Sequence, residues 1–476
     1  MSCVKDLYFW RQSIILLSDC LHSIGTGLLL SFPAVLNPAI LDPNSTDIRA
    51  TPDEASWIAA SQGFAGPIGF MLIPPLMQIL GRKMAHIMLN ILVGIGFLIF
   101  VLAKSIIALY IARIVQGLAI CGVYITSIIL AEYSDPKRRG YFITLKKGSV
   151  AIGSLICHAT ALCWTWRQIA LFAIMPNILA LLLTLLWPES PAFLALKGRY
   201  EECDKSFTWL NENTTRNRKE LEELISSQKA QREENKKQKG KLKKLMKKLM
   251  KRDFIISFVI VSLLTMIVDA SGRYYMLAYI VQMLTEIIGD KSVAVYCTIG
   301  SDALTFIALI ISSFVIRCFK RRTILFTSGI LSICLMFLTS LLAYMKFYNT
   351  GAGMSWLIPA VILLNVFIVN AGVVPICFAI IGEIFPLEHK GMGSFTTGVV
   401  FTILYALVMK FTPLMMDKTG IQGTFFIYGV CMIIGLLVLY FVLTETKDKT
   451  LQEIENEING VKKKNSSFIS NVLLPE

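Results

Sequence analysis

Apolar runs of about twenty residues or more recur roughly a dozen times along this chain, and they leave it few places to fold except in lipid. A bilayer's hydrocarbon core is about 30 Å thick, and a helix crosses it with about 20 apolar residues. Backbone facing lipid must satisfy its own hydrogen bonds within one segment, which requires helices. No series of ten-residue stretches alternates polar and apolar as barrel strands do. The runs fall at 13–36, 55–80, 84–103, 105–131, 141–163, 167–187, 253–288, 292–316, 323–345, 355–382, 391–416 and 423–443. Only 16% of the 476 residues are charged and 55% are hydrophobic, where a soluble chain carries about a quarter charged residues. A water-soluble enzyme and a nucleic-acid-binding protein are therefore excluded. The expected fold is an all-α membrane protein of twelve transmembrane helices.

Twelve crossings put both termini on one side, and the basic residues indicate which. The segments 1–12, 81–83, 132–140, 188–252, 317–322, 383–390 and 444–476 hold 35 Lys and Arg, and the opposite loops hold six. By the positive-inside rule both termini and the long 188–252 loop are cytoplasmic. The first apolar run is long and has no small-residue cleavage site, so it is expected to stay as a spanning helix. The outward loop 37–54 then carries Asn44-Ser45-Thr46, a glycosylation acceptor pattern. Ten Lys and Arg lie within 236–252, with Leu242, Leu245, Met246 and Leu249 among them at helical spacing. Two readings stand for this stretch. It is a basic amphipathic helix on anionic inner-leaflet lipid, or a solvated linker with a stop-transfer charge block. The expected domains are 1–190, a cytoplasmic helical loop 191–252, 253–443 and a cytoplasmic tail 444–476.

The eleven cysteines include no CxxC pair and the four histidines are scattered, so no metal site or cofactor is expected. No nucleophile–base arrangement supports an enzyme, and no GxxxxGK[ST] loop supports ATP-driven pumping.

The two halves echo each other. Glu132 precedes Arg139-Gly140 by seven residues, and Glu383 precedes Lys390-Gly391 by seven. Gly81-Arg82-Lys83 corresponds to Lys320-Arg321-Arg322, and Pro188-Glu189-Ser190-Pro191 to Thr444-Glu445-Thr446-Lys447. Such paired motifs at a nearly constant offset indicate two six-helix bundles with a site between them near the midplane. Together with Trp187, with Leu451 and Glu453-Ile454, and with Ser56-Trp57-Ile58-Ala59, these motifs resemble the sugar porters of the major facilitator superfamily, within them the insect trehalose and hexose branch.

The resemblance implies a cytoplasmic gate of Arg82, Lys83, Glu132, Arg139, Glu189, Arg321, Glu383, Lys390 and Glu445. Ion pairs there favour the outward-open state, at about 1 kcal/mol for each partly hydrated pair. Each half departs from the family. Gln78 stands where an acid is usual, and Arg317 and Lys320 replace the acid and glycine of the second half, so that latch is expected to be more repulsive.

The sugar-binding set is altered too. The family's Gln-Gln-x-Ser-Gly-x-Asn of helix seven reads Val268-Asp269-Ala270-Ser271-Gly272-Arg273-Tyr274, followed by the matching Tyr279. The family's glutamine in helix five falls on Lys147, its asparagine in helix eight on Thr305, and its helix-eleven pair on Phe401-Thr402. The expected cavity residues are Lys147, Asp269, Ser271, Gly272, Arg273, Tyr279, Thr305 and Thr402. Lys147 and Asp269 are expected to line the cavity and bridge each other or a charged substrate. The alternative is that Asp269 neutralises Arg273, four residues on along one helical face, while Lys147 snorkels. Proton-coupled members usually carry an aspartate at the position of Gly25, so facilitated movement is favoured, while Asp19 and His22 in the same helix and Asp269 keep proton coupling open as an alternative. The expected partner is a small solute, a sugar or a relative of one. The alternatives are a charged metabolite carried on the same scaffold, or a transport-silent sensor.

Overall fold

The computed structural model describes residues 2–44, 47–134, 138–212, 252–347, 356–384 and 390–447, with parts of 214–229. Among them every regular element is a helix. Ten helices are long and apolar enough to cross a membrane. One of these, Lys390–Val442, is 53 residues long and breaks at Gly420, whose φ of 68° is left-handed, so it makes two crossings. Arg139–Thr160 adds another. Its 22 residues are long enough at 1.5 Å per residue, although Lys146 and Lys147 lower its hydropathy. Twelve crossings result, at the places the apolar runs indicate.

Several crossings are interrupted. The first comprises Ser2–Ser31 and Pro33–Leu41, and the fourth Ile106–Leu118 and Gly122–Tyr133. The seventh stops at Ala270 and restarts at Tyr275. Gly272 between them has a φ of 103°, a conformation L side chains rarely adopt. The tenth runs Leu357–Ile368, then a π-turn at Val369–Val373, then Val374–Ile384. Irregular backbone at this depth is tolerated only where protein or a cavity covers it. The breaks in crossings seven and ten thus mark where a cavity can lie.

Helix starts on the face opposite the termini are capped by side chains. Thr51 and Glu54 form a reciprocal box at Pro52–Leu80, and Thr165 and Gln168 form another at Trp166–Leu185. On the termini face, Pro191–Lys197 and Tyr200–Leu210 begin the long loop and dock beneath the first half. Arg11 Nη1 donates to Trp209 O at 2.9 Å there, and Ser206 Oγ to Glu189 O at 2.5 Å. The segment 236–251 and the tail beyond 447 lie outside the described residues.

Small residues set the helix spacing, as is usual where lipid removes the hydrophobic drive between helices. A Cβ on Gly27 would strike the Val150 carbonyl, which brings crossings one and five into backbone contact. The two halves meet through crossings two and eleven. There a Cβ on Gly63 would sit 2.7 Å from Ala406 Cβ, and Gly66 and Gly398 pack on Thr402 and Phe70. They also meet through crossings five and eight, where Gly148 packs on Phe306.

Candidate functional site

The break in crossing seven borders a narrow cavity against crossings five, eight and ten, with about 20 Å³ where water can sit and about 370 Å³ when all the space of its open mouth is counted. Its polar wall is Ser271, Arg273, His158, Ser301, Asp302, Thr305 and Asn370. The π-turn presents Asn370. This amide accepts from Arg273 Nη1 at 2.9 Å, and its own nitrogen donates to Val366 O at 2.8 Å and to Thr305 Oγ1 at 3.5 Å. A π-turn re-aims one side chain without ending the helix, and this one aims an amide at a cation. Opposite stands a buried pair, His158 Nδ1 donating to Asp302 Oδ2 at 2.6 Å. Crossing five supplies the imidazole and crossing eight the carboxylate, so the bond joins the two halves of the chain.

Of the eight cavity residues expected from the sequence, Ser271, Gly272, Arg273 and Thr305 line this space. Lys147 is exposed, and its charge and that of Arg273 repel each other. Its neighbour Lys146 points the other way, 100° around the helix, and donates to Ser127 Oγ at 2.6 Å and Val123 O at 3.3 Å. The other three sit elsewhere. Tyr279 is buried, its hydroxyl donating to Met409 O at 2.7 Å, which ties crossing seven to eleven. Thr402 is buried against Gly66, its hydroxyl bonded to Gly398 O at 3.0 Å.

Asp269 corrects an expectation. Both of its carboxylate oxygens are buried and neither has a hydrogen-bond partner, so it bridges neither Lys147 nor Arg273. The i,i+4 pairing assumes an unbroken helix, and the turn at Ser271–Tyr274 carries Arg273 away to Asn370.

The charged motifs gather on the termini face in two matching clusters. In the first half Arg82 grips Glu132 with two nitrogens, Nε to Oε2 at 2.9 Å and Nη2 to Oε1 at 3.0 Å. Ser190 Oγ adds a bond to Glu132 Oε2 at 2.6 Å. Glu189 has a different task. Its Oε1 accepts from the Arg82 amide at 2.8 Å and the Lys83 amide at 3.2 Å, so it caps the helix Arg82–Leu102. Lys83 Nζ caps the end of crossing six, at 3.0 Å from Leu185 O and 2.8 Å from Trp187 O. The second half repeats the plan. The Arg321 guanidinium pairs with Glu383. Glu445 caps the helix Arg321–Phe347, accepting from the amides of Arg321 at 3.2 Å and Arg322 at 3.1 Å.

Each cluster lies within its own half of the chain, and none of these bonds joins one half to the other. Arg139 is exposed and pairs with no described residue, and the Lys390 side chain lies outside the described residues. Arg317 and Lys320 are exposed to solvent, which screens their repulsion.

On the opposite face the halves are tied by Lys410, whose ammonium meets Asp53 Oδ1 at 2.6 Å and Ser56 Oγ at 2.9 Å. A wider depression opens there, lined in part by Asp42, Asp47, Trp164, Arg167 and again His158. Hydrogen bonds from Arg167, at 2.9 and 2.7 Å, hold the Asp47 carboxyl below the usual carboxylate range. Asn44 lies in an exposed turn beside it, while Ser45 and Thr46 are outside the described residues.

The sequence reading missed His158, Asp302, Asn370 and Arg113. Arg113 is fully buried and donates to Gln62 Oε1 at 3.0 Å, Gln116 Oε1 at 3.2 Å and Leu29 O at 3.1 Å. All but Asn370 are ionisable residues within apolar runs, and that signal was open to reading.

A family model described as "Sugar (and other) transporter" matches residues 26–458. The facilitated trehalose transporter Tret1 of Drosophila virilis is 25% identical over 467 residues, covering 97% of this chain and 50% of its own length. That of Aedes aegypti is 26% identical over 469 residues, 97% of this chain and 57% of its own. The chain thus spans about half the length of these curated relatives. Tret1 of Polypedilum vanderplanki, 26% identical, is matched over 97% of this chain and 91% of its own length. Among solved structures, the proton:xylose symporter XylE bound to 6-bromo-6-deoxy-D-glucose superposes with a TM-score of 0.72 at 18% identity, over 95% of this chain and 99% of that one. The inward open xylose transporter from E. coli gives 0.73 at 18%, over 94% and 99%. At that identity the likeness concerns the fold.

Proposed function

The chain belongs to the sugar transporter family of the major facilitator superfamily, a multi-pass membrane fold of two six-helix bundles, and on that premise we propose that it carries a sugar or sugar-like solute down its gradient by alternating access. One observation carries the reading. The cavity lies where crossings seven and ten lose their regular backbone, between elements of both halves, with hydroxyl and amide groups on its wall. Such groups exchange water for solute hydroxyls at small net cost. Ser271, Gly272, Arg273 and Thr305 contact the solute, joined by Asn370, with Lys147 at the approach.

The charged clusters stiffen each bundle so that it rocks as one body. Arg82, Lys83, Glu132 and Glu189 do this for 1–190, and Arg321, Glu383 and Glu445 for 253–443. Facilitated rather than proton-driven movement is supported at Gly25. A Cβ there would meet Asn177 Nδ2 at 2.6 Å, and the nearby buried Arg113 is held by neutral amides.

The asymmetry of Lys and Arg supports an orientation with both termini cytoplasmic, the basic stretch 236–252 meeting anionic lipid, and Asn44 glycosylated on the outer side, which we place at the plasma membrane. Counterflow of labelled glucose and trehalose into liposomes holding the purified chain tests the reading. Saturable accumulation that survives a protonophore is expected, and absence of counterflow for every sugar overturns it.

A further inference from the structure

The cavity holds a cation that makes no ion pair with a described residue, although Asp302 on the same wall attracts its charge across the space. Arg273 is partly accessible and makes one hydrogen bond, from Nη1 to the neutral amide of Asn370 at 2.9 Å. Its Nε and Nη2 donate to no described residue, and neither is fully sealed from solvent. Neither nearby acid bonds to Arg273. Asp302, on the same wall, gives its Oδ2 to His158 at 2.6 Å and acts on Arg273 only across the space. Both oxygens of Asp269 are shut away from solvent. Lys147 adds a second exposed cation close enough for its charge to be felt at Arg273.

An ionisable side chain at this depth is normally paired or faces a cavity. A guanidinium with two free nitrogens on one edge matches the two oxygens of a carboxylate, while a lone hydroxyl uses only one of them. The helix Tyr275–Ile288 starts at the same space, so its N-terminal end adds to the positive field there. The rest of the wall is suited to a polyol, with Ser301, Thr305 and Asn370 polar and Met276 and Val366 apolar.

We propose that the cavity takes a polyhydroxylated carboxylate, a sugar acid, whose carboxylate docks on Nε and Nη2 of Arg273 and whose hydroxyls meet Ser301, Thr305 and Asn370. The inference rests on the reading of this cavity as the solute site and names the class of solute. It also makes the carrier electrogenic, since each acid carries one negative charge across the membrane.

The test uses the full chain in liposomes with labelled D-glucuronate, D-glucose and glucose 6-phosphate as probes. Glucuronate exchange is expected to saturate, and its net uptake to rise when the interior is made positive. Arg273→Gln is expected to lower glucuronate exchange about tenfold or more, the loss of a charge-assisted pair, with Arg273→Lys retaining part of it. Lys147→Gln, at an exposed position where folding is not at stake, is expected to raise the glucuronate KM several-fold with the melting temperature unchanged. Glucose exchange that glucuronate in large excess fails to inhibit would overturn the inference and leave the transporter reading standing. Preference for the phosphate ester over the carboxylate overturns it as well. Exchange of none of the three probes overturns the inference, and only the absence of trehalose counterflow as well overturns the transporter reading.

Discussion

His158 and Asp302 lie 144 residues apart in the chain and share a hydrogen bond of 2.6 Å that joins the fifth crossing to the eighth. His158 also stands on the walls of both the inner cavity and the depression on the opposite face. His158 therefore stands between the two spaces, and its bond to Asp302 is expected to break if the cavity opens toward that face. The side chains are only 1% and 7% exposed. Removing one partner leaves the other buried and unpaired, a loss of about 3–5 kcal/mol for a buried pair. Asp302→Ala and His158→Ala should each lower the melting temperature sharply. The double variant should lose much less than their sum, with a coupling of at least about 1 kcal/mol. Additive losses in a double-mutant cycle would show that the two groups do not act together.

Glu189 and Glu445 each cap the helix that follows a basic turn, through backbone amides rather than through the neighbouring guanidinium. Neutralising either acid removes a charged cap worth about 1 kcal/mol, with both amides still partnered by a Gln oxygen. Arg82→Ala breaks a two-pronged pair whose side chains are 8% and 19% exposed, and about 3 kcal/mol is expected there. Thermal melting in detergent should rank Arg82→Ala well below Glu189→Gln and Glu445→Gln, and the last two should match. A large gap between them would deny the symmetry of the two clusters.

The twelve crossings were legible because lipid imposes one rule on every segment, and that rule is written in runs of apolar residues. The charged motifs were legible as charges, but half of their partners were not. Glu189, Glu445 and Lys83 bind backbone amides and carbonyls, which have no letter of their own in the sequence. Asp269 and Arg273 were assigned to each other by helical spacing, and Ser271-Gly272 breaks the helix on which that spacing depends. Tyr279 and Thr402 match or replace family positions, yet each hydroxyl is spent on a neighbouring carbonyl. The His158–Asp302 bond depends on how two distant helices pack. Only the presence of an acid and an imidazole inside apolar runs hinted at it.

At Gly272 the backbone has a φ of 103°, and an added Cβ would lie 3.1 Å from Met276 Cγ. Gly272→Ala should cost about 1–2 kcal/mol for the left-handed backbone alone. It should also disturb Arg273, the next residue, and so reduce solute exchange by more than the loss of folded protein accounts for. Exchange measured per folded molecule, with folding checked by size exclusion, separates the two effects. Unchanged exchange per molecule would mean that the break in crossing seven does not shape the site.

Asp47 gives a dependence on acid with a definite sign. Hydrogen bonds from Arg167 depress its carboxyl in the folded protein. A depressed acid contributes stability above its unfolded pKa, about 3.9, and that contribution is lost as the pH falls through the lower folded value. Both side chains are about one-third exposed, 30% and 38%, so solvent screening keeps the contribution below about 1 kcal/mol. The wild type should lose a small part of its stability as the pH falls below about 4, and Asp47→Asn should lack that part. Melting curves across this range, run at low salt, check it. Equal acid sensitivity in both proteins would show that the Arg167 tie does not matter to the fold.

Lys410 ties the halves on the face opposite the termini, and its geometry limits how much it can do. The ammonium reaches Asp53 Oδ1 at 2.6 Å and lies 4.4 Å from the centre of the Trp57 ring. Its own side chain is 13% exposed, but that of Asp53 is 75% exposed, so water competes for the carboxylate. Such a pair is worth about 1 kcal/mol at most, which changes an equilibrium between two arrangements of the halves by about fivefold. Lys410→Gln should therefore shift the protein toward opening on that face without locking it there. A cysteine introduced at Ala161, on the wall of the depression, in a background where Cys163 and the other exposed native cysteines are replaced by Ser, reports this by its rate of labelling with a polar thiol reagent. That rate should rise by no more than about fivefold in the variant. No change at all would assign the closure of that face to the packing of Gly63 on Ala406 and Gly66 on Thr402, where no charge is involved.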